Sequence, residues 1–404
     1  MLGALRKRRP PRDPLAYVLG DMDLVRPLGL AGIRCAVVAS ENCGLAHSRY
    51  TERLLPLKME DGSEEEWVEA LVTAGLREAQ PPVLFFQEDT HLLMVSRHRR
   101  RLAQAFRFAL PEADFIEQLV DKARFQRLSE ERALPVPRTR VLHPTPDSQP
   151  PALDLRYPLI VKPLTRLESW ATIERGGKAL ALGGVADLAA LWPRLTAAGI
   201  DLLAQELIPG PESAMESYHV YVDAQGEVAG EFTGRKIRTL PATYGHSTAL
   251  TLTDIRTQGA DVAALGRDVA ARIGLRGVAK FDFKRAPDGG LHLLEINPRF
   301  NLWHHLGAVA GVNLPALVYA DLTGRRRPRA AIARAGACWC RLRTDRLAVR
   351  EAGGSTLSWL LWAVRCEASS IQWDDPLPFL QPKLQRLMHL WPKMRSAPPS
   401  PVKT

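Results

Sequence analysis

Two short segments constrain this chain more than any other part: Val278-Ala279-Lys280-Phe281-Asp282-Phe283-Lys284 and Leu293-Leu294-Glu295-Ile296-Asn297-Pro298-Arg299-Phe300. Each alternates apolar and polar side chains, the pattern of a half-buried strand. Between them lies Pro287-Asp288-Gly289-Gly290, where Asp288-Gly289 can fill a two-residue hairpin turn. That turn opposes Pro287 and Gly290 and, counted outward, sets Asp282 opposite Glu295. Moving the turn to Gly289-Gly290 sets Asp282 opposite Asn297 instead, on the same face. Directly opposed side chains stand about 4.5–5.5 Å apart, so two carboxylates there repel unless something neutralises them. Carboxylate, carboxylate and amide oxygens form a hard ligand set suited to magnesium. Asp282, Glu295 and Asn297 are therefore candidate metal ligands. Arg299, just past the strand, carries a forked cation able to hold phosphate or carboxylate. From spacing alone, an exposed polar face on an ordinary edge hairpin reads the same way.

A chain of 404 residues can hold two or three domains with ample core. Its 46% hydrophobic and 24% charged residues match a soluble globular protein. No apolar run approaches the 18 or so residues of a membrane span. The start, Met1-Leu2-Gly3-Ala4-Leu5-Arg6-Lys7-Arg8-Arg9, lacks the apolar core and cleavage site of a secretory signal. Cys35, Cys43, Cys338, Cys340 and Cys366 suggest neither a metal set nor a disulfide framework, which suits a reducing cytosol. A cytoplasmic location is the expectation. The formal charge of +10 is concentrated in runs such as Arg6–Arg9 and Arg325–Arg327. No aromatic residues interleave with them as a nucleic-acid stacking platform requires. Attraction to anionic substrates or an anionic membrane surface stays open.

The order of segments implies an α/β chain, α+β in its centre. Residues 1–14 read as a flexible basic leader. Ala16–Gly20, Cys35–Ala39 and Val83–Phe86 read as strands of a small parallel α/β domain over 15–117, with a helical stretch at Val25–Gly32. A helix is expected from about Leu119 to Ala133, followed by a Pro-rich connector and the strand Tyr157–Pro163. Further strands are expected at Leu202–Ile208, His219–Val222 and Val228–Thr233, with an amphipathic helix at Gly259–Ile273. Residues 325–404 read as a C-terminal helical extension.

This order of parts, over roughly residues 15–324, resembles the ATP-grasp superfamily of ATP-dependent ligases. Asp121-Lys122 opens a helix, and Val136-Pro137-Arg138-Thr139 follows it, as in that family. Tyr157-Pro158-Leu159-Ile160-Val161-Lys162-Pro163 resembles the strand whose lysine holds the nucleotide phosphates. Gln205-Glu206-Leu207-Ile208-Pro209-Gly210 is similar to the hinge that meets adenine, and Leu294-Glu295-Ile296-Asn297-Pro298-Arg299-Phe300 to the metal-binding strand. The resemblance implies an ATP-grasp domain over 118–324, divided into an ATP-covering lobe (118–210) and a metal-binding, catalytic lobe (211–324). It implies ATP and magnesium (or manganese) as cofactors. Lys122 and Lys162 would meet phosphate, Glu206 with the backbone of Leu207 and Ile208 the base, and Glu212 the ribose. Gly176-Gly177-Lys178 resembles the loop that covers the phosphates, with fewer small residues than many members have.

Gly234-Arg235-Lys236-Ile237-Arg238 and the following Pro241–His246 are similar to D-aspartate-ligase-like carboligases, which would set Arg235 and Lys236 at an acyl phosphate or its parent carboxylate. Ile371–Pro378 also resembles that subgroup's tail. The implied activity activates a small-molecule carboxylate as an acyl phosphate and joins it to an amine, releasing ADP and phosphate, with Arg299 facing the oxyanion. Asn301–His305 could line the acceptor side. Two other readings compete: a nucleotide-binding scaffold without turnover, and a peripheral membrane or interaction protein using Trp359–Val364 and Leu387–Trp391.

Overall fold

Apolar strands set the framework of the computed structural model, which describes residues 13–381 and 383 apart from 42, 58–61, 165–168, 175–178, 330 and 370. Near the N-terminus, β1 (Ala16–Leu19), β2 (Cys35–Ala39), β3 (Thr51–Pro56) and β4 (Val83–Phe86) form a parallel sheet in the order β3-β2-β1-β4. β1 and β4 are buried throughout, as a parallel sheet covered on both faces requires. The edge strand β3 carries Glu52 and Arg53 and lacks that apolar signature, so it escapes a reading by hydrophobicity.

The expected long helix near 119 is two helices, Ala113–Val120 and Lys122–Glu131. Asp121 ends the first and caps the second, its carboxylate accepting the Arg124 amide at 2.8 Å. Next, β5 (Thr139–Leu142), β6 (Leu159–Pro163), β7 (Leu180–Leu182) and β8 (Leu202–Glu206) form an antiparallel sheet, ordered β5-β8-β6-β7. Leu188, Leu191, Trp192 and Leu195 of the helix Val185–Ala198 pack against it.

The largest sheet has seven strands: β9 (Met215–Val222), β10 (Val228–Leu240), β11 (His246–Thr253), β12 (Gly277–Arg285), β13 (Leu291–Asn297), β14 (Cys338–Cys340) and β15 (Ala368–Ser369). Their order is β13-β12-β9-β10-β11-β14-β15. One face is apolar. Tyr218, Val220, Phe281, Phe283, Leu293 and Ile296 pack there against Val262, Ala263 and Val269 of the helix Ala260–Arg272. The opposite face carries the polar residues singled out above. Trp303 crosses that face at Gly234, where a Cβ would stand 2.4 Å from the indole, so only glycine fits beneath it.

The C-terminal stretch differs from a purely helical extension. Its Cys-Trp-Cys segment alternates sides well enough to join the sheet as β14 beside β11. The helices Leu342–Glu351 and Thr356–Ala363 then dock through Asp345, which is wholly buried. Asp345 accepts both guanidinium arms of Arg238 (2.9 and 2.7 Å), the Thr248 hydroxyl and the Trp359 indole. Trp362 stacks on Arg238, while Leu357, Leu360, Leu361 and Val364 face outward. Leu387–Trp391 lies outside the described residues. Among the described residues, no single helix is long and apolar enough to cross a membrane.

Farther along, the chain returns to its N-terminal domain. Asp375 accepts the Ser48 hydroxyl (2.8 Å) and the Arg49 amide (2.9 Å) and lies 3.7 Å from Arg26, both charged side chains being 2% exposed. Removing one partner of a buried ion pair strands the other charge, at a cost of about 3–5 kcal/mol. Asp375→Ala should therefore move the urea midpoint of unfolding down by that amount of stability; an unchanged midpoint would contradict the role given to this contact.

Candidate functional site

The β12–β13 hairpin turns through three residues rather than two. The Ala286 amide donates to the Gly290 carbonyl at 2.8 Å, and Gly289 adopts the positive φ of 91° that such a loop requires. Arg285, Lys284 and Phe283 then oppose Leu291, His292 and Leu293, so an unbroken ladder would bring Asp282 to Leu294. A β-bulge at Leu294 shifts the register by one. Beyond it, Asp282 opposes Glu295 and Lys280 opposes Asn297. Because strand side chains alternate, the bulge brings Glu295 and Asn297 to the face that holds Lys280 and Asp282.

Lys280 and Ser217 answer this concentration of negative charge. The Lys280 ammonium lies 2.5 Å from Asp282 Oδ2, and the Ser217 hydroxyl donates to Asp282 Oδ1 at 2.7 Å. Asn297 donates to Glu295 Oε1 at 3.2 Å. Burial and the Glu295 charge push the Asp282 carboxyl up, against the pull of Lys280. Burial also opposes ionisation of Glu295, yet Lys280, the hydrogen bonds from Asp282 and Asn297, and Lys162 hold it well below the usual carboxylate range. Although protein crowds the Glu295 carboxyl and depletes the water around it, the residue keeps an exposed surface that a ligand can reach. One ammonium already stands where the pair demands positive charge, and the remaining donors are hard oxygens. The arrangement fits a divalent ion. No group of three His, Cys, Asp or Glu side chains gathers to hold a metal among the described residues, so Asn297 and a ligand's own oxygens would complete the set.

The facing sheet contributes Lys162, on β6. Burial depresses its ammonium, opposed by the charge of Glu295, which ties the two sheets electrostatically across one site. Lys122 donates to the Pro163 carbonyl at the end of the same strand. At the hinge after β8, the buried Glu206 carboxylate is taken by the Arg156 amide (3.0 Å) and guanidinium (3.0 and 3.2 Å). The Leu207 amide is held by the Pro158 carbonyl at 3.0 Å. Among the described residues, no backbone bond takes the Leu207 carbonyl or the Ile208 amide. Glu212 lies 3.7 Å from Lys236, whose charge also reaches Asp282. Gly176, Gly177 and Lys178 lie outside the described residues.

Two expected cations behave differently from a simple reading. Arg235 and Lys236 are adjacent on β10 and so point to opposite faces. Lys236 shares the face of Asp282, whereas Arg235 opposes Glu216 on the far face and is exposed. Arg299 has one arm bound to Asp89, another to the Gln87 carbonyl (2.8 Å), and reaches Asn297 Oδ1 at 3.4 Å. It pins the strand that bears Glu295 and Asn297 to the N-terminal sheet through Asp89 and Gln87. Sequence reasoning missed Ser217, Lys280 and Lys284. The last of these, 6% exposed, donates to the Gly210 and Pro211 carbonyls (2.9 and 2.7 Å) and anchors the hinge. Their signal was strand parity: Lys280, Asp282 and Lys284 sit at every second position.

Residues 232–338 match a protein-family model described as ATP-grasp in the biosynthetic pathway with Ter operon. Over these residues the chain is similar to an ATP-grasp domain. It is similar to D-aspartate ligase from Enterococcus faecium (25% identity over 242 residues, 58% of this chain and 56% of that protein). It is also similar to D-alanine–D-alanine ligase from Stutzerimonas stutzeri (28% over 217 residues, 50% and 64%). The matches thus span less than two thirds of either relative's length. The same fold occurs in L-amino acid ligase from Bacillus licheniformis (TM-score 0.58, 15% identity, 78% and 75% coverage). N5-carboxyaminoimidazole synthetase from Staphylococcus aureus shares it as well (TM-score 0.63, 14% identity, 84% and 85% coverage).

Beside the polar face, the expected Asn301–His305 segment is buried. His304 Nδ1 lies 2.8 Å from the Asn301 carbonyl, to which it can donate, and 2.9 Å from the Asn301 amide, while its Nε2 has no hydrogen-bond partner among the described residues. His219 stacks on Phe232, ring centroids 4.5 Å apart, beneath Trp303. Burial lowers His304 from 6.5 to about 4, despite the raising effect of its Asn301 contact. The folded protein thus favours the neutral ring, whereas the unfolded chain takes up a proton below pH about 6.5. Stability from this residue is complete above that pH and should fall by about 3 kcal/mol as pH drops towards 4. His304→Gln should flatten the slope of stability against pH between 6.5 and 4; an unaltered slope would refute this.

Proposed function

We propose that this protein is an ATP-dependent, ADP-forming ligase that joins a small-molecule carboxylate to an amine. The observation that carries the proposal is the opposed Asp282–Glu295 pair, with Lys280 ion-paired to Asp282 and Lys162 bringing its charge to Glu295 from the other sheet. The ATP-grasp match and the two ligases among its relatives support it. In this reading residues 15–117 form the N-terminal domain, 118–210 the lobe over the nucleotide and 211–324 the metal lobe.

Asp282, Glu295 and Asn297 would hold magnesium or manganese, which when bound neutralises charge on the triphosphate. Lys162 and Lys122 would bear on phosphate oxygens, with Gly176, Gly177 and Lys178 covering them. The Leu207 carbonyl and Ile208 amide would meet adenine on a hinge that Glu206 fixes through Arg156, and Glu212 would meet the ribose. The carboxylate attacks the γ-phosphate, and the bond from γ-phosphorus to the bridging oxygen breaks, leaving ADP and an acyl phosphate. The amine then attacks the acyl carbon, loses a proton and expels phosphate. Lys236 would lie beside the acyl phosphate and Arg299 near the oxyanion. Arg235, on the opposite face, has no place in this chemistry. Positioning and charge supply the catalysis, so no protein nucleophile is required.

Glu295→Gln removes one ligand charge but also removes like-charge repulsion. It should cut substrate-dependent ADP release by about 100-fold or more without lowering thermal stability. Chelation with EDTA should abolish turnover, and added magnesium should restore it. Wild-type turnover in Glu295→Gln, or turnover that survives chelation, would overturn the assignment.

A further inference from the structure

Spacing along the chain pairs none of its cysteines, yet the fold brings two of them together. Cys338 opens β14 and Cys366 lies just before β15. Those strands pair in parallel, which returns the chain beside itself after 28 positions. The two sulfurs stand 2.8 Å apart. A disulfide bond measures about 2.0 Å, so less than about 1 Å of movement closes one. Glu367, next to Cys366, holds the two segments in place. Its carboxylate accepts the Cys338 amide at 2.9 Å and the Arg334 guanidinium at 2.6 Å.

Strand alternation brings Cys340 to the same face as Cys338. Cys340 is wholly buried and shares a small apolar cluster with Cys366, Ala363, Trp359 and Trp362. These thiols are not disposed as a metal set, since no three His, Cys, Asp or Glu among the described residues are grouped to hold an ion. Cys338 is 8% exposed and Cys366 half-buried, which admits a small oxidant and little more. The hydrogen-bond contact with Cys366 lowers the Cys338 thiol below its ordinary range, against burial and the Glu367 charge. The same contact raises Cys366, which keeps its proton. One sulfur is thus prepared as the thiolate that attacks an oxidant, and its neighbour as the thiol that follows. Neither has a part in the ligation chemistry.

We propose that Cys338 and Cys366 form a reversible oxidation site, closed to a disulfide by a peroxide and reopened by a dithiol reductant. The Cys338 thiolate attacks one peroxide oxygen and breaks the O–O bond, giving a sulfenic acid and a hydroxide that takes a proton to become water. The Cys366 sulfur then attacks the Cys338 sulfur, and the displaced hydroxyl leaves with the Cys366 proton as a second water. In all, two thiols give up two electrons and two protons, and one peroxide becomes two waters. The new bond ties the helices Leu342–Glu351 and Thr356–Ala363, held otherwise through Asp345, to the sheet edge by a covalent link. Leu250 pairs with Trp339 on one side and Lys236 on the other, so the link lies two strands from the carboxylate face.

The full-length protein is treated with hydrogen peroxide in slight excess, its free thiols are capped with iodoacetamide, and tryptic peptides are mapped by mass spectrometry. Cys338 and Cys366 should lose alkylation together and appear as one cross-linked pair of peptides, and dithiothreitol should restore both. Cleavage after Arg334 and Arg341 leaves Cys338 and Cys340 in one peptide, where fragmentation tells them apart. Cys35, wholly buried with its thiol pushed up to about 12, is the unreactive reference. Oxidation should raise the melting temperature by a few degrees, because the closed loop restricts the unfolded chain. Cys366→Ser should abolish the cross-link and that gain. A Cys340–Cys366 link, bonds between molecules through Cys43, sulfinic acid at Cys338 in place of the pair, or thiols shielded by a copurifying metal ion would each overturn the assignment. The wild-type peptide map decides the matter even where Cys366→Ser fails to fold.

Discussion

Asp282 and Glu295 share a face because β13 carries one more residue than its partner strand between Leu293 and Glu295. Leu293 and Ile296 both point into the apolar core although three positions separate them, which a regular strand forbids. The bulge at Leu294 satisfies both, and in doing so turns Glu295 and Asn297 towards Asp282 and Lys280. Core packing thus enforces the unfavourable approach of two carboxylates: the apolar residues cannot be buried without exposing the pair. A cation is then required by the fold itself. Lys280 supplies it in this structure, and a divalent ion bound to nucleotide would compete for the same charge.

The surroundings extend that logic. Lys162 on one sheet and Lys236 on another bring further positive charge to the face, while Lys284 and Arg156 spend theirs on backbone and carboxylate groups that hold the hinge. Arg299 fastens the strand that bears Glu295 and Asn297 to the N-terminal sheet. Asp345 and Asp375 do the same for the C-terminal stretch, each taking several donors in near-complete burial.

Where side chains repeat with the period of a strand or helix, the sequence was readable. β1, β2, β4, β12 and the helix Ala260–Arg272 follow from hydrophobic pattern, whereas the pairing of Asp282 with Glu295 was one of two registers the turn allowed. That pairing was reached by counting from a two-residue turn, whereas the molecule uses a three-residue turn plus a bulge whose shifts offset each other. The spacing of Leu293 and Ile296 was the available clue. β3 was hidden by its charges, and β14 by its brevity. Arg235 was grouped with Lys236 by adjacency, although alternation puts neighbours on opposite faces. Cys338 and Cys366 come together only through tertiary folding, and no local pattern announces them.

Manganese can report on the central claim directly, because free Mn²⁺ gives an electron paramagnetic resonance signal that is lost on binding. Titrating the protein with Mn²⁺ in the presence of ADP should show a bound ion in the wild type and its loss, with no change in fold, in Asp282→Asn and Glu295→Gln. If both variants retained the wild-type isotherm, the opposed carboxylates would not be the metal site, and the account built on the Leu294 bulge would fail.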